Sequence, residues 1–184
     1  MNIYYWSPFL SHVATVNAVI ASASSIKKYS KKKINTFIIN SFGEWTPHEK
    51  ELKKKNIEII NFFSNDYYYL KLPRNGYFKS RFSYLIVIFV SFFKLHKFLK
   101  SRNDKDVFIS HLLVSAPMIL SLIFCYRCTF ILRISGFPKL NFFRKTLWKI
   151  AGSNLKFITC PTVATKSDLI KKKIFNKEKI ILVR

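Results

Sequence analysis

Short apolar segments alternate with helical segments along the whole of this sequence. The pattern is clearest between residues 108 and 140, where one apolar run ends in His111, a helical segment follows, and a second apolar run ends in Arg133. The other apolar runs, rich in β-branched and aromatic residues, lie at 2–6, 34–40, 57–62, 156–160 and 179–183. Such alternation is typical of a parallel sheet with right-handed crossovers. We therefore expect an α/β fold: a Rossmann-like, doubly wound, mostly parallel sheet of about seven strands with helices on both faces.

Two of the expected helices are apolar enough to raise the question of a membrane. The helix expected over 78–100 is almost entirely apolar in its centre, from Phe82 to Phe93. That centre falls short of the ~20 apolar residues that a spanning helix needs, and the segment 112–126 is shorter still and contains Pro117. We interpret both as helices that cover a buried sheet, while basic flanks leave shallow contact with a membrane open. The expected N-caps of other helices are Thr46, Asn141 and Thr162.

The chain is strongly basic, with 32 Lys and Arg against 9 Asp and Glu among 184 residues, a formal net charge of +23. Nucleic acid, an anionic membrane surface and a low-GC codon usage each account for such a charge. The cations are spread over many helix ends, where they complement the helix dipole, rather than gathered in one stripe. We therefore expect no nucleic-acid partner.

The three cysteines, Cys125, Cys128 and Cys160, are too few and odd in number for a disulfide framework, which fits a reducing cytoplasm. No second cysteine pair or histidine pair completes a metal site around them. We interpret them as core cysteines and expect neither a metal nor another cofactor.

Candidate ligand-binding residues come directly after predicted strands, and ligands bind at the carboxyl ends of strands in open α/β sheets. His111 and the pair Arg133 and Ser135 would then reach one edge of the sheet. Arg133 ends a very apolar strand, where a charge is costly unless it is paired or faces a cleft. It either binds an anionic acceptor or a phosphate, or pairs with a loop carboxylate such as Glu44. Gly136 either lets a ligand approach the backbone or serves the turn conformation.

The other candidates lie nearer the N-terminus. Ser11 and His12 follow the first predicted strand and could contact a ligand, although Ser11 could equally cap the first helix. Glu44 and Asp66 are loop carboxylates that could bind sugar hydroxyls. On the residues alone, His111 is as well explained by a backbone partner as by a function.

Several local strings carry a resemblance to a known family. Asp106-Val-Phe-Ile-Ser-His111 with the following 115–117, then 129–136 and 157–162, are similar to consecutive strands and turns in the N-terminal half of GT-B glycosyltransferases of family 4, the group 1 glycosyltransferases. The segments 5–8 and 133–138 resemble a subgroup of that family tied to surface polysaccharide assembly.

The resemblance implies an enzyme that transfers a sugar with retention, from a nucleotide-sugar donor to a glycan or lipid-linked acceptor. It implies surface polysaccharide biosynthesis in the cytoplasm, peripheral at the inner face of the membrane, where an anionic membrane surface is a further partner. It also implies that His111 is the catalytic residue that contacts the donor sugar. We expect the remaining candidates to bind donor or acceptor: Ser11, His12, Arg133, Ser135 and Gly136.

The chain departs from that family in two respects. The segment 7–12 holds no glycine where the family often has a glycine-rich loop for the donor's phosphate, and no donor-binding C-terminal half follows. We therefore expect residues 1–184 to be one acceptor-side domain, a fragment that is inactive by itself.

Two other classes of protein remain open. One is a non-enzymatic, basic Rossmann-like module that binds nucleic acid. The other is a doubly wound enzyme such as a nucleotide-dependent methyltransferase, although no glycine-rich fingerprint follows Trp6 and no acidic residue ends the second strand.

Overall fold

The computed structural model describes residues 1–11, 14–64, 72–73 and 77–183, without the side chain of Tyr77. Within them, one sheet has the strand order β3-β2-β1-β4-β5-β6-β7, and every neighbouring pair is parallel. The strands are β1 (Asn2–Trp6), β2 (Asn35–Asn40), β3 (Glu58–Asn61), β4 (Val107–His111), β5 (Thr129–Arg133), β6 (Phe157–Cys160) and β7 (Ile180–Leu182). The expected seven-stranded, Rossmann-like sheet is confirmed.

Helices connect these strands, as the alternating sequence pattern predicts. They are α1 (Ala14–Tyr29), α2 (Glu49–Lys54), α3 (Tyr77–Lys100), α4 (Ser115–Ile123), α5 (Phe142–Ala151) and α6 (Val163–Lys171). Short 3₁₀ helices lie at Thr46–His48, Gly152–Asn154 and Lys177–Lys179.

The two faces of the sheet carry different helices, because successive side chains of a strand point to opposite faces. Tyr5 and Ile109 pack with α1 and α2, and we call this side the α1 face. Trp6, Phe108 and Leu132 pack with α3, α4, α5 and α6, and we call this side the α3 face. Both faces of the sheet are covered by helices, which explains why the strands read as nearly continuous apolar runs.

Strand order reverses at β1, which lies between β2 and β4. The connections after β1 and β4 therefore leave the sheet in opposite directions and open a crevice at the carboxyl edge, where α/β proteins bind ligands. The parallel register sets Trp6 beside Ser110 and His111 beside Arg133 at this edge.

The expected helix caps are confirmed at two of three positions. The Asn141 side chain accepts a hydrogen bond from the Arg144 N–H at 2.9 Å, and the Thr162 hydroxyl accepts one from the Thr165 N–H at 3.0 Å. Thr46 was wrong as a cap: it is the first residue of its 3₁₀ helix, and its hydroxyl accepts a hydrogen bond from the Asn40 side chain at 3.2 Å.

The expected burial of the cysteines holds for Cys128 and Cys160 and fails for Cys125. Cys125 follows the end of α4 in the turn that leads to β5, where its side chain is exposed. Two of the three cysteines thus serve the core, and the third lies at the surface.

Helix α3 corrects the expectation that its apolar run is too short for a membrane. By length and composition Phe78–Lys100 meets that requirement: its most apolar window of 18 residues has a mean hydropathy of 1.6, and 28% of that window is buried inside the protein. One side of the helix packs on the α3 face through Leu95 and Leu99, as expected of a covering helix. Much of the remaining apolar surface faces outward.

Gly152 offers a test of the packing between α5 and the segment that leads to β7. A Cβ atom at this position would lie 2.7 Å from the Phe175 ring, which is buried. We expect Gly152→Ala to destabilise the fold by about 1–3 kcal/mol, because the ring has to move within a packed core. Unfolding in urea measures the change.

Gly136→Ala is the matched control for that substitution, since a Cβ there meets no atom within 4 Å. Its free energy of unfolding should stay within about 0.5 kcal/mol of the parent. Equal stability of the two variants would contradict the packing described for Gly152.

Candidate functional site

The last residues of β4 and β5 form the centre of the candidate site. His111 pairs in register with Arg133, and parallel neighbours in register point their side chains to the same face of the sheet. The expected juxtaposition of the two side chains at one edge is confirmed. Ser135 follows two residues after Arg133 and contacts His111.

The His111 imidazole is held by a hydroxyl group at each ring nitrogen. Nδ1 is 3.3 Å from Ser7 Oγ, and Nε2 is hydrogen-bonded to Ser135 Oγ. The residue is only 1% exposed. A ligand in the crevice therefore meets the exposed Ser135 first, and direct contact with His111 requires the Ser135 side chain to turn away.

Burial and charge fix the protonation state of His111. Desolvation, with the positive charge of Arg133 as a second cause, lowers the pKa of His111 to about 4. The ring is therefore neutral at neutral pH, so one nitrogen donates a hydrogen bond and the other accepts one. A neutral imidazole of this kind orients hydroxyl groups and carries no charge.

The turn after His111 has a strained backbone. Leu112 has a φ of 62°, in the left-handed region that a bulky side chain rarely adopts. The Trp6 indole N–H donates a hydrogen bond to the Leu113 carbonyl at 3.0 Å and ties this turn to the end of β1. Strain of this sort persists only where the surrounding structure holds it, and it is frequent at functional sites.

Arg133 is a half-buried cation without a carboxylate partner in the described part of the chain. The two ion pairs found there, Lys55 with Glu51 and Lys172 with Asp168, lie elsewhere. Burial lowers the pKa of Arg133, although an arginine still keeps its charge at neutral pH. A buried, unpaired charge is costly, so an anionic ligand that enters the crevice would gain a preformed partner.

Glu44 does not pair with Arg133, and that alternative is wrong. Its side chain is fully buried, and the carboxylate accepts hydrogen bonds from the backbone N–H groups of Ser41 and Phe42 at 2.9–3.0 Å. Burial raises the pKa of Glu44 to about 7. This carboxyl group fixes the turn after β2 and is inaccessible to a sugar.

Two cavities meet at the end of β5, and Arg133 and Ser135 line both. The first, of about 370 Å³, runs along the α1 face between Ala18 of α1 and Thr159 of β6. The second, of about 240 Å³, lies at the edge of the α3 face and also reaches His111 and Arg144. The two residues therefore stand on the ridge between two spaces large enough for small polar ligands.

Gly136 needs no glycine for packing or backbone conformation. A Cβ there would meet nothing within 4 Å, and its φ is not in the left-handed region. Of the two explanations for this glycine, turn geometry is therefore the weaker one. The other explanation, that a ligand approaches the backbone closely at Gly136, stays a prediction.

The remaining candidates are less well placed. Ser11 is exposed beyond the end of β1, while His12 and Asp66 lie outside the described residues. Ser7, which contacts His111, is a contributor that sequence reasoning missed. The sequence position of Ser7 could have indicated this contact, because a serine directly after a buried strand reaches the same edge as the other candidates.

Metal-binding clusters are not found in the described parts of the chain: no three His, Cys, Asp or Glu side chains lie together there. Charge at the crevice comes from Arg133, and from Arg144 at the edge of the smaller cavity.

Comparison with known proteins identifies the fold. No protein-family model and no curated protein matches the sequence. Among solved structures, the chain is similar to a glycosyltransferase from Rickettsia africae ESF-5, with a TM-score of 0.62 and 16% identity over 100% of this chain and 42% of the Rickettsia protein. It is also similar to HepE from Anabaena, crystallised in complex with UDP and glucose, with a TM-score of 0.55 and 10% identity over 100% of this chain and 44% of HepE.

The chain thus spans less than half the length of each of these neighbours. At such identities the likeness establishes the fold and leaves the activity open. The chain has a glycosyltransferase-like Rossmann fold of the GT-B type, with its candidate site at the carboxyl edge of the sheet.

The buried His111 predicts a specific dependence of stability on pH. Its pKa is about 4 in the folded chain and about 6.5 in the unfolded chain, so the unfolded state takes up the proton first as pH falls. The folded state should lose about 3 kcal/mol between pH 6.5 and pH 4 from this residue alone. Urea unfolding across this range, for the parent chain and His111→Asn, measures it.

Carboxyl groups titrate in the same range, so the informative quantity is the difference between the two curves. His111→Asn should show a shallower decline toward low pH than the parent. Parallel curves would contradict the neutral, desolvated imidazole.

Proposed function

We propose that this chain is the acceptor-side half of a retaining GT-B glycosyltransferase, related to family 4. The enzyme transfers a sugar from a nucleotide-sugar donor to a glycan or lipid-linked acceptor, in surface polysaccharide biosynthesis. The neighbours are more than twice as long as this chain, so a complete enzyme of this kind needs a second half that these 184 residues do not contain. That half is proposed to bind the nucleotide.

The pair of His111 and Arg133 at the strand ends carries the proposal. Fold alone does not decide function, since doubly wound sheets serve many chemistries. Here the sheet presents a half-buried cation and a hydrogen-bonded imidazole at the edge where ligands bind. No carboxylate within the described ranges pairs with this cation. A nucleotide sugar offers partners for both, a diphosphate for the cation and hydroxyl groups for the imidazole and serine.

The chemistry of sugar transfer matches these properties. The bond between the sugar's anomeric carbon and the diphosphate breaks in an oxocarbenium-like transition state, and negative charge develops on the leaving diphosphate. The acceptor hydroxyl oxygen then forms the new bond to that carbon, and its proton passes to the leaving diphosphate. Preorganised donors that face this charge accelerate the step, and Arg133 is such a group when the crevice excludes water.

His111 orients the sugar rather than moving a proton. A pKa of about 4 leaves it neutral, and the Ser135 hydroxyl lies between the ring and the exposed crevice. When the Ser135 oxygen accepts a hydrogen bond from the ring N–H, its O–H can donate to a sugar hydroxyl. When Ser135 donates to the ring nitrogen instead, its oxygen can accept a hydrogen bond from the sugar hydroxyl. Ser135 is therefore proposed to touch the sugar, with His111 behind it or, after rotation of Ser135, directly.

Ser11 and His12, which precede α1 in the sequence, are proposed to contribute donor contacts, and Gly136 is proposed to lie against the acceptor. The smaller cavity beside Gly136 also contacts Arg144, which suits an acidic or phosphate-bearing acceptor. Such acceptors include lipid-linked glycans, and with an acceptor of that kind the enzyme is proposed to act in the cytoplasm at the inner face of the membrane.

The experiment uses the cell in which the protein acts, because that cell supplies any second half. Deletion of the gene should remove one sugar from a lipid-linked or surface glycan, detected by mass spectrometry. Restoring the parent gene should return that sugar. The Arg133→Ala gene should return about one-tenth of the parent yield or less, as expected when one charged contact to a transition state is lost.

Arg127→Ala is the control, because Arg127 is exposed in the turn before β5, away from the crevice. It should restore the glycan fully. Unchanged glycans after deletion would contradict the proposal. If the protein then shifts the mobility of RNA in a gel, the nucleic-acid alternative is favoured.

Gly136 tests the acceptor side of the crevice separately. Gly136→Val should leave the unfolding midpoint nearly unchanged, because the Cβ that it adds meets no atom within 4 Å. It should also raise the KM for the acceptor about tenfold while the KM for the donor stays the same, since only the acceptor is crowded. An unchanged acceptor KM in the complete enzyme would place the acceptor elsewhere.

A further inference from the structure

An apolar stripe runs along the outer side of α3. Phe82, Leu85, Phe89 and Phe93 are spaced three and four residues apart, so they lie on one side of the helix. Their exposed fractions lie between 52% and 79%. Large apolar side chains grouped in this way mark a binding surface, whereas single ones are ordinary. We call these four residues the α3 stripe.

Lysines border the α3 stripe, and among the described residues neither of the two ion pairs involves them. Lys97 and Lys100 are exposed in the last turns of α3, and Lys79 is exposed near its start. The helices α3, α4 and α5, which cover most of the α3 face, contain no Asp or Glu. Phenyl rings rimmed by lysines match a bilayer with anionic headgroups, because long cationic side chains reach the headgroups while the rings enter the acyl region.

Helix α5 extends this surface toward the candidate site. Phe142 and Phe143 at its start are about four-fifths exposed, and Lys145 and Lys149 are exposed on the same helix. Both helices pack on the same side of the sheet. Arg144, between the phenylalanines and Lys145, lines the smaller cavity, so the basic and apolar surface reaches the edge of the crevice.

The inner side of α3 is built into the protein, which decides how the helix can meet a membrane. Leu95 and Leu99 are fully buried in the core. The Ser83 hydroxyl donates a hydrogen bond to the Pro73 carbonyl at 2.7 Å, and His96 is hydrogen-bonded to the Tyr126 hydroxyl at 2.7 Å. A spanning arrangement would break all these contacts. A helix that lies in the membrane plane keeps them and buries only its outer side.

We propose that the α3 face binds the surface of a bilayer that contains anionic lipids, with α3 in the membrane plane and the α3 stripe inserted among the lipids. The surface specifies the membrane contact of the proposed glycosyltransferase, and it rests on that function only for the lipid-linked nature of the acceptor. Bound in this way, the protein holds the crevice at the level where a lipid-linked acceptor presents its head.

Vesicle co-sedimentation of the complete protein tests the surface without any transfer reaction. The probes are vesicles of phosphatidylcholine alone and of phosphatidylcholine mixed with phosphatidylglycerol. Binding should require the anionic lipid and weaken as salt is raised. Phe89→Ser should weaken binding about tenfold, because one phenyl ring no longer leaves water.

Tyr29→Ser is the matched control: Tyr29 is as exposed as Phe89, at 74%, but ends α1 on the opposite face of the sheet. It should bind vesicles like the parent. Equal binding by Phe89→Ser and Tyr29→Ser, or equal binding to neutral and anionic vesicles, would overturn the proposal. So would a dimer in solution that Phe89→Ser dissociates, because the stripe would then serve a second copy of the chain.

Insertion depth separates an in-plane helix from a spanning one. The three native tryptophans are buried, so a Phe89→Trp variant adds one reporting indole. Lipids brominated near the headgroup should quench it more than lipids brominated near the chain ends. Stronger quenching from the chain ends would overturn the in-plane arrangement. If the parent protein binds vesicles in this way but transfers no sugar, that result would count against the proposed function alone.

Discussion

The in-register parallel pairing of β4 with β5 is the constraint on which the rest of the site depends. Backbone hydrogen bonds between these strands fix His111 beside Arg133, so the pair does not depend on an attraction between the two side chains. Each then determines the properties of the other. The guanidinium helps to hold the pKa of His111 near 4, and the neutral ring adds no opposite charge beside the guanidinium. Among the described residues, no carboxylate forms an ion pair with Arg133. A cation kept unpaired by the backbone in this way is available to an anionic ligand.

The two faces of the sheet divide the work around that edge. The α1 face carries the larger cavity beside α1, into which Arg133 and Ser135 both reach. The α3 face carries three helices without acidic residues, α3, α4 and α5, with exposed phenylalanines on α3 and α5. A doubly wound sheet therefore gives one crevice that contains the Arg133 cation and one basic, apolar side. This arrangement suits an enzyme that takes a water-soluble donor and a membrane-held acceptor.

Strand positions and the meeting of His111 with Arg133 could be predicted, because apolar runs between helices fix a parallel sheet and its carboxyl edge. Contacts that depend on a neighbour's exact position could not. Glu44 could be recognised as a polar loop residue, but only the folded turn shows backbone N–H groups enclosing it. The two serines around His111 are distant in sequence and meet only after β1, β4 and β5 pair. The exposure of the outer side of α3 could not be predicted either, because a buried and an exposed apolar helix have similar sequences.

The central claim is that Arg133, Ser135 and Gly136 line the place where a sugar is transferred. The most direct measurement is a crystal structure of the complete enzyme with its nucleotide-sugar donor and an acceptor glycan. The account predicts an anionic group of a ligand at hydrogen-bond distance from Arg133 and a sugar hydroxyl on Ser135. Ligands bound elsewhere, with the crevice at the end of β5 empty and the hydrogen bond between His111 and Ser135 unchanged, would contradict it.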